Sequence, residues 1–134
     1  MSIFVDTSAF LAVLDANDRN HARAKAFWTA ILTEKETLIT TNYVLLETYA
    51  LVQNRLGMNA VRDFTTFITP VVETIWVDET LHHRGLSALL SANRRKLSLV
   101  DCVSFEVARE FAIFDVFTFD KHFSEQGFRC LPQT

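Results

Sequence analysis

The sequence predicts an α/β domain with a mainly parallel sheet of four to five strands flanked by helices. Short apolar runs alternate with longer stretches of helical periodicity, which is the pattern of strands joined by crossover helices. The 134 residues are 49% hydrophobic and include 12 Phe, enough to bury a core. With only 3 Gly and 2 Pro and no repeat, we expect one domain over residues 1–134.

The predicted strands are short runs rich in Ile, Val, Phe and Thr. Four are bounded by polar or turn-forming residues, and a fifth is expected at an edge of the sheet. They cover residues 3–5, 37–40, 71–77, 116–119 and, at the edge, 128–131.

Between the strands, apolar residues recur at helical spacing. Thr41-Asn42 is predicted to cap one helix, Gly57 to end it in the left-handed conformation, and Pro70 to stop the next helix. The predicted helices cover residues 8–15, 22–32, 43–56, 58–69, 79–92 and 99–112.

Composition points to a cytoplasmic protein. The formal net charge is −3 and the pI about 5.8, so the whole chain is not a strongly basic nucleic-acid binder. Cys102 and Cys130 fit neither a disulfide framework nor a zinc spacing, and free thiols suit a reducing compartment. The N-terminus lacks the basic segment of a signal peptide, and no apolar run reaches the roughly 20 residues of a membrane helix.

Four acidic residues occupy positions where a carboxylate is unusual. Asp6 and Asp120 each follow a predicted strand, whereas Glu47 and Asp101 lie early in helices that start from the same sheet edge. In open α/β sheets this carboxyl edge holds the ligand crevice. We therefore expect all four side chains to point into one cleft.

Such a cluster needs a counter-charge. Two carboxylates about 5 Å apart repel by roughly 3 kcal/mol at an effective dielectric constant near 20. Mg²⁺ or Mn²⁺ would remove this repulsion, because both ions prefer oxygen ligands. The four acids therefore predict a divalent-metal site.

Three of the acids also have a purely structural interpretation. Asp6 and Asp120 fit helix or turn caps, and Ser98 with Asp101 fits a capping box. Glu47 has apolar neighbours on several sides and is harder to explain in this way. Four unrelated caps need not share one edge, which favours a functional site.

Other candidates carry weaker signals. His122 is interpreted as a surface or packing residue, His82-His83 as solvent-facing helix residues, and Trp28 and Trp76 as packing residues. The basic run at residues 94–96 precedes the helix of Asp101, so we expect it to contact phosphate.

At this point the sequence resembles the PIN domain family, the nuclease fold of VapC-type toxins. The resemblance spans essentially the whole chain. It rests on FVDTSAF at the start, Glu47 in NYVLLET, LSLVDC around Asp101 and VFTFDKHF around Asp120. It implies a three-layer fold, hydrolysis of RNA with Mg²⁺ or Mn²⁺, and metal-binding roles for Asp6, Glu47, Asp101 and Asp120.

The resemblance also implies partners, namely an RNA substrate and, for a toxin, a small antitoxin that blocks the acidic cleft. Some family members carry a further acid after the last one, where this chain has Lys121 and His122. Polar neighbours are expected to orient the carboxylates or their waters. They are Thr7, Ser8, Asn42 and Thr118.

Several other classes do not fit. A dinucleotide-binding fold needs glycines after the first strand, and a P-loop needs G-x-x-x-x-G-K-[ST]; neither occurs. A haloacid-dehalogenase-type phosphatase needs a second Asp where this chain has Ser8, and a phosphoreceiver domain needs paired acids near the first strand. The remaining alternative is a catalytically inactive PIN-like module that binds RNA or protein.

The apolar content also predicts assembly. Met58, Val61, Phe64, Phe67 and Ile68 recur at roughly helical spacing. A small sheet has only two faces, and other apolar helices compete for them. We therefore expect part of this stripe to contact a second copy in a homodimer.

Overall fold

The computed structural model describes residues 1–133 and contains a five-stranded, fully parallel sheet. Its strand order is β3-β2-β1-β4-β5, which confirms the predicted α/β class and sheet. The strands are β1 (Ser2–Val5), β2 (Thr37–Thr41), β3 (Glu73–Ile75), β4 (Asp115–Phe117) and β5 (Arg129–Leu131).

Helices connect successive strands, as parallel pairing requires. They are α1 (Thr7–Leu14), α2 (His21–Thr33), α3 (Asn42–Leu56), α4 (Met58–Asp63), α5 (Glu79–Ala92), α6 (Leu99–Glu110) and α7 (His122–Glu125).

The segment after α3 departs from the prediction of one continuous helix. Gly57 has φ +87° and ψ −176°, so its φ is positive but its backbone is not left-handed helical as predicted. After α4 the chain forms a π-helical turn at Phe64–Ile68 and a 3₁₀ turn at Thr69–Val71. Since Pro70 lies in the 3₁₀ turn, β3 begins later than predicted.

The core is centred on the two inner strands. Phe4, Val5, Val116 and Phe117 are fully buried, so β1 and β4 are covered on both faces, as expected for a parallel sheet. Phe123 from α7 packs edge-on against α6 at Phe105, with ring centroids 5.0 Å apart. The short helix after β4 is thereby anchored to the core.

Two predictions about side-chain exposure are wrong. Trp28 is buried as predicted, but Trp76 is 74% exposed. His82 is partly buried, and its Nδ1 lies 2.6 Å from the hydroxyl of Tyr43, whereas His83 is exposed as predicted. Both cysteines are free, Cys102 in the core and Cys130 partly buried. Among residues 1–133, no helix has the length and apolar character to cross a membrane.

Helices α5 and α6 approach closely at Gly85. A Cβ on this residue would lie 2.4 Å from Val103 Cγ2 and 3.1 Å from Val103 Cα. Val103 is itself fully buried and belongs to the helix that carries Asp101. The missing side chain at Gly85 therefore sets the position of α6.

We predict that Gly85→Ala lowers the free energy of unfolding by about 1–3 kcal/mol, although Ala is normally the better helix former. Chemical denaturation with circular dichroism measures this change. Ser87→Ala, on the exposed part of α5, is the matched control and should be neutral or slightly stabilising. A Gly85→Ala variant as stable as the wild type would mean that the two helices are not in close contact.

Candidate active site

Asp6 lies at the centre of the carboxyl edge of the sheet. It follows β1 directly, caps the N-terminus of α1, and is only 4% exposed. Its Oδ2 accepts hydrogen bonds from the Ser8 hydroxyl at 2.9 Å and the Thr118 hydroxyl at 3.0 Å. The predicted cap is thus confirmed, and one carboxylate oxygen is fixed by two hydroxyl groups.

The same hydroxyl groups hold the end of β4. Thr118 Oγ1 accepts a hydrogen bond from the Asp120 amide at 2.9 Å, and Ser8 Oγ accepts one from the Phe119 amide at 2.9 Å. Ser8 and Thr118 therefore connect the start of α1 to the segment that carries Asp120. This confirms that they orient the acids.

Asp101 lies in the first turn of α6. Its amide donates to the Ser98 hydroxyl at 3.0 Å, and its Oδ2 accepts from the Ser98 amide at 3.4 Å. The predicted capping box is therefore confirmed. The same Oδ2 that accepts from Ser98 also lies 3.7 Å from His122 Nδ1, so the capping box and the site share this oxygen.

Asp120 and His122 form a tight turn after β4. Asp120 Oδ1 accepts a hydrogen bond from the His122 amide at 2.9 Å, so the predicted turn cap is present. The turn brings His122 Nδ1 to 3.1 Å from Asp120 Oδ1 and 3.7 Å from Asp101 Oδ2. This nitrogen is buried, yet it has no properly oriented hydrogen bond among residues 1–133.

Sequence reasoning missed His122, which was interpreted as a surface or packing residue. The signal was the D-x-H spacing, because an Asp that caps a turn folds the residue two positions later back toward its own carboxylate.

Glu47 reaches the site from α3. Buried threonines tie this helix to α1: the Thr48 hydroxyl lies 2.7 Å from the Val44 carbonyl oxygen and 3.1 Å from the Thr7 hydroxyl. Glu47 itself is partly buried, but its neighbour Leu46 is 72% exposed, so this part of α3 is less enclosed than its sequence indicated. Asn42, which was expected to orient the carboxylates, instead accepts a hydrogen bond from the Val77 amide at 2.7 Å and so ties α3 to the segment after β3.

Burial and neighbouring carboxylates raise the pKa of three of the acids. Burial is the largest cause for Asp6, and the charge of Asp101 is the next; together they raise its pKa to about 7, although the hydrogen bonds from Ser8 and Thr118 act in the opposite direction. Burial, followed by the charge of Asp120, raises the pKa of Asp101. Burial raises the pKa of Glu47, with smaller contributions from the charges of Asp101 and Asp120. The charges of Asp101 and Asp120 therefore act on the other acids across the carboxyl edge of the sheet.

The model of the PIN domain family matches residues 3–129. The chain is a member of the PIN domain family. The 23S rRNA-specific endonuclease VapC20 of Mycobacterium tuberculosis is 35% identical over 127 residues, which cover 94% of this chain and 95% of that protein.

Two solved structures show the same fold. The crystal structure of Mycobacterium tuberculosis VapC20, described as a Sarcin-Ricin loop cleaving toxin, superposes with a TM-score of 0.82 at 33% identity and covers 94% of this chain and 95% of that one. The structure of FitAcB from Neisseria gonorrhoeae gives a TM-score of 0.70 at 15% identity, covering 97% and 96%. The three-layer PIN fold expected from the sequence is therefore confirmed.

The donor set of this PIN site fits a divalent cation. One oxygen each from Asp101 and Asp120 and one nitrogen of His122 lie within 4.8 Å of one another. Ligands of an octahedral Mg²⁺ are about 2.1 Å from the ion and at most about 4.2 Å apart, so small side-chain movements would suffice. The unpartnered His122 nitrogen and the mutually raised carboxyl pKa values are what a site built around a positive charge would show.

The raised pKa of Asp6 predicts that stability falls with rising pH in the absence of metal. Between about pH 4 and pH 7 the folded PIN domain keeps a proton that the unfolded chain has released, so the folded state loses stability as pH rises. In the presence of chelator, the free energy of unfolding of the wild type should fall by about 2–3 kcal/mol more than that of Asp6→Asn between pH 5 and pH 8. Urea denaturation at each pH measures this difference.

Asn keeps the capping oxygen and carries no charge, so Asp6→Asn preserves the local fold. Asp63→Asn, at an exposed position of α4, is the control, and the pH dependence of its free energy of unfolding should match that of the wild type. Equal pH dependence of Asp6→Asn and the wild type would show that Asp6 is not the strained carboxylate.

Proposed function

We propose that this chain is a metal-dependent endoribonuclease that acts as a single PIN domain over residues 1–134. Asp6, Glu47, Asp101 and Asp120 form its catalytic and metal-binding site, with Mg²⁺ or Mn²⁺ as cofactor. The observation that carries the proposal is the carboxyl edge of the sheet, where buried Asp6 and partly buried Glu47, Asp101 and Asp120 lie and where the charges of Asp101 and Asp120 raise the pKa of neighbouring acids. A chain that is 35% identical and named as a 23S rRNA-specific endonuclease supports RNA as the substrate.

When bound, a divalent ion supplies a water of lowered pKa and stabilises negative charge on the leaving oxygen. The side chains of the protein position the negative charge that attracts this ion. Ser8 and Thr118 hold Oδ2 of Asp6 in a fixed position. Asp101 and Asp120 present oxygens from a helix start and a strand end, both rigid positions. Glu47, on α3, contributes the fourth carboxylate of the proposed site.

The surface beside the acids is suited to a phosphate backbone. The basic run at residues 94–96 is exposed, as predicted, and directly precedes the helix of Asp101. Arg94 lies 3.4 Å from Glu125 of α7, which places this loop next to the turn of Asp120. Lys121 is also exposed in that turn. These cations would offset the repulsion between RNA and the acidic cleft.

We predict that Mg²⁺ or Mn²⁺ raises the melting temperature of the wild type, because an ion that binds only the folded state stabilises it. With the ion, the wild type should cleave single-stranded and ribosomal RNA, and chelator should stop cleavage. Asp6→Asn should lose most of the metal-induced stabilisation and at least about 100-fold in cleavage rate. Thermal denaturation and gel analysis of labelled RNA provide both measurements.

Asp63→Asn is again the control and should behave like the wild type. Wild-type protein that binds RNA but never cleaves it in either metal would favour the alternative, a catalytically inactive PIN-like binding module. Equal metal stabilisation of the wild type and Asp6→Asn would contradict the proposed metal site.

We further propose that the chain is the toxin of a type II toxin–antitoxin pair in the cytoplasm. A small antitoxin would insert a basic side chain among the four acids and so replace the metal's charge. Resemblance to the toxin VapC20 supports this part of the proposal.

A homodimer is also proposed, through a narrower surface than the whole predicted stripe. Phe64 and Ile68 are buried in the core, whereas Met58 is 49%, Phe67 69% and Val71 46% exposed. These three apolar side chains lie on the segment from α4 to the 3₁₀ turn. A symmetric contact would remove them from water together.

We predict that light scattering at micromolar concentration gives about twice the 15.3 kDa mass of one chain. Phe67→Asp should shift the mass to that of one chain, since a buried charge disfavours the contact. Phe114→Asp, at an equally exposed aromatic position outside this segment, should leave the mass unchanged. A wild-type mass near 15.3 kDa at every concentration would refute the dimer.

A further inference from the structure

Trp76 is the exposed aromatic residue that the proposed site does not yet explain. Its side chain is 74% exposed, although a tryptophan in the core would contribute more to stability than almost any other residue. It directly follows β3, at the same sheet edge as the four acids. An exposed aromatic side chain at this edge suggests contact with a ligand.

Strand register fixes the position of Trp76 relative to the acids. Thr41 pairs with Ile75, and Phe4 pairs with Ile39, so Asp6 and Ile75 occupy the same level when the β1–β2 register is continued by two residues. Trp76 is therefore one residue beyond that level. Strands β3 and β1 are two spacings apart, which corresponds to about 10 Å across the edge.

The backbone around Trp76 is held rigidly. Ile75 belongs to the sheet, and the Val77 amide donates to Asn42 Oδ1 at 2.7 Å. Asp78 then caps α5 by accepting from the Leu81 amide at 2.9 Å. A side chain mounted on such a segment loses little backbone freedom when it binds a ligand.

A second exposed apolar side chain connects Trp76 to the acids. Leu46, 72% exposed, is one helical turn beyond Asn42, which is bonded to the segment of Trp76, and so lies on the same face of α3. The next residue in the chain is Glu47. Leu46 and Trp76 are thus two exposed apolar side chains on elements that follow β2 and β3, whereas the basic residues 94–96 lie next to α7, which follows β4.

We propose that Trp76 stacks on an unpaired base of the RNA substrate adjacent to the phosphodiester that is cleaved. This inference rests on the proposed nuclease function and adds the recognition of an unstacked base to it. Exposed aromatic side chains bind single-stranded nucleic acid because every base offers a π-face, and paired bases are not free to stack on them. If its phosphates lie beside the basic residues and one base stacks on Trp76, the RNA strand passes over the four acids.

Binding can be followed through Trp76 itself. Trp28 is 8% exposed and Trp76 is 74% exposed, so the fluorescence that acrylamide quenches comes mainly from Trp76. In Asp6→Asn, which binds without cleaving, a 12-nucleotide single-stranded oligoadenylate should quench this emission and protect it from acrylamide. A 12-base-pair RNA duplex should have little effect. Absence of any change with the single strand would overturn the inference.

Steady-state cleavage of a single-stranded RNA then separates stacking from a structural role. Trp76→Leu should raise KM by about 5- to 100-fold and leave kcat within about twofold, because stacking is lost but the acids are untouched. Trp76→Phe should recover most of the loss. Phe114→Leu, an exposed aromatic before β4 at the opposite edge, is the matched control and should keep the wild-type KM.

Each remaining outcome is decisive. If the wild type cleaves RNA and Trp76→Leu has the same KM, this inference is wrong and the nuclease function stands. If Trp76→Leu changes the mass measured by light scattering, Trp76 contacts a second copy and the inference is again wrong. If the wild type neither binds nor cleaves RNA, the proposed function fails first, and that result is distinct from both others.

Discussion

The carboxylate of Asp6 is the group on which the rest of the site depends. Its Oδ2 accepts hydrogen bonds from Ser8 and Thr118, and the same two hydroxyl groups accept from the amides of Phe119 and Asp120. One buried acid therefore fixes the junction between β1 and α1 and, across the sheet, the turn after β4. The position of the second acid follows from the position of the first.

The clustered carboxylates lower the stability of the metal-free fold, and they also form the proposed metal site. Burial and neighbouring negative charges raise the pKa of Asp6, Glu47 and Asp101, so the ionised cluster destabilises the metal-free fold at neutral pH. Asp115 shows the opposite solution: it is equally buried, but Arg129 donates to both of its oxygens at 2.7 and 2.8 Å. Among the described residues, no Arg or Lys forms such a pair with the four acids, which leaves their charge available to a cation.

Local sequence rules predicted most of the strands and helices and the sheet edge at which the four acids lie. The alternation of strands and helices predicted the parallel sheet, and the position of Asp6 and Asp120 after their strands predicted that both lie at its carboxyl edge. The capping interpretations of Asp6, Asp101 and Asp120 are confirmed as well, so three members of the proposed site also hold the local backbone. A cap fixes the backbone of an acid at a helix start or a strand end.

Two features that depend on tertiary geometry were missed. His122 joins the acids only because its turn folds back over Asp120, and Trp76 is exposed because the edge strand β3 ends before it. Residues 58–69 were predicted as one helix, yet this segment passes from α4 through a π-helical turn into a 3₁₀ turn, and Phe64 and Ile68 lie in the core. Periodicity cannot reveal such changes, because the same apolar spacing serves both arrangements.

The central claim is that the four carboxylates share one divalent-metal site, and a crystal soaked in Mn²⁺ tests it most directly. Anomalous scattering should show an ion within about 2.5 Å of carboxylate oxygens of this cluster, with Asp6 among its ligands or one water away. An ion bound elsewhere, or any two of the four carboxylates more than about 12 Å apart, would contradict the account, because direct metal–oxygen distances are only about 2 Å.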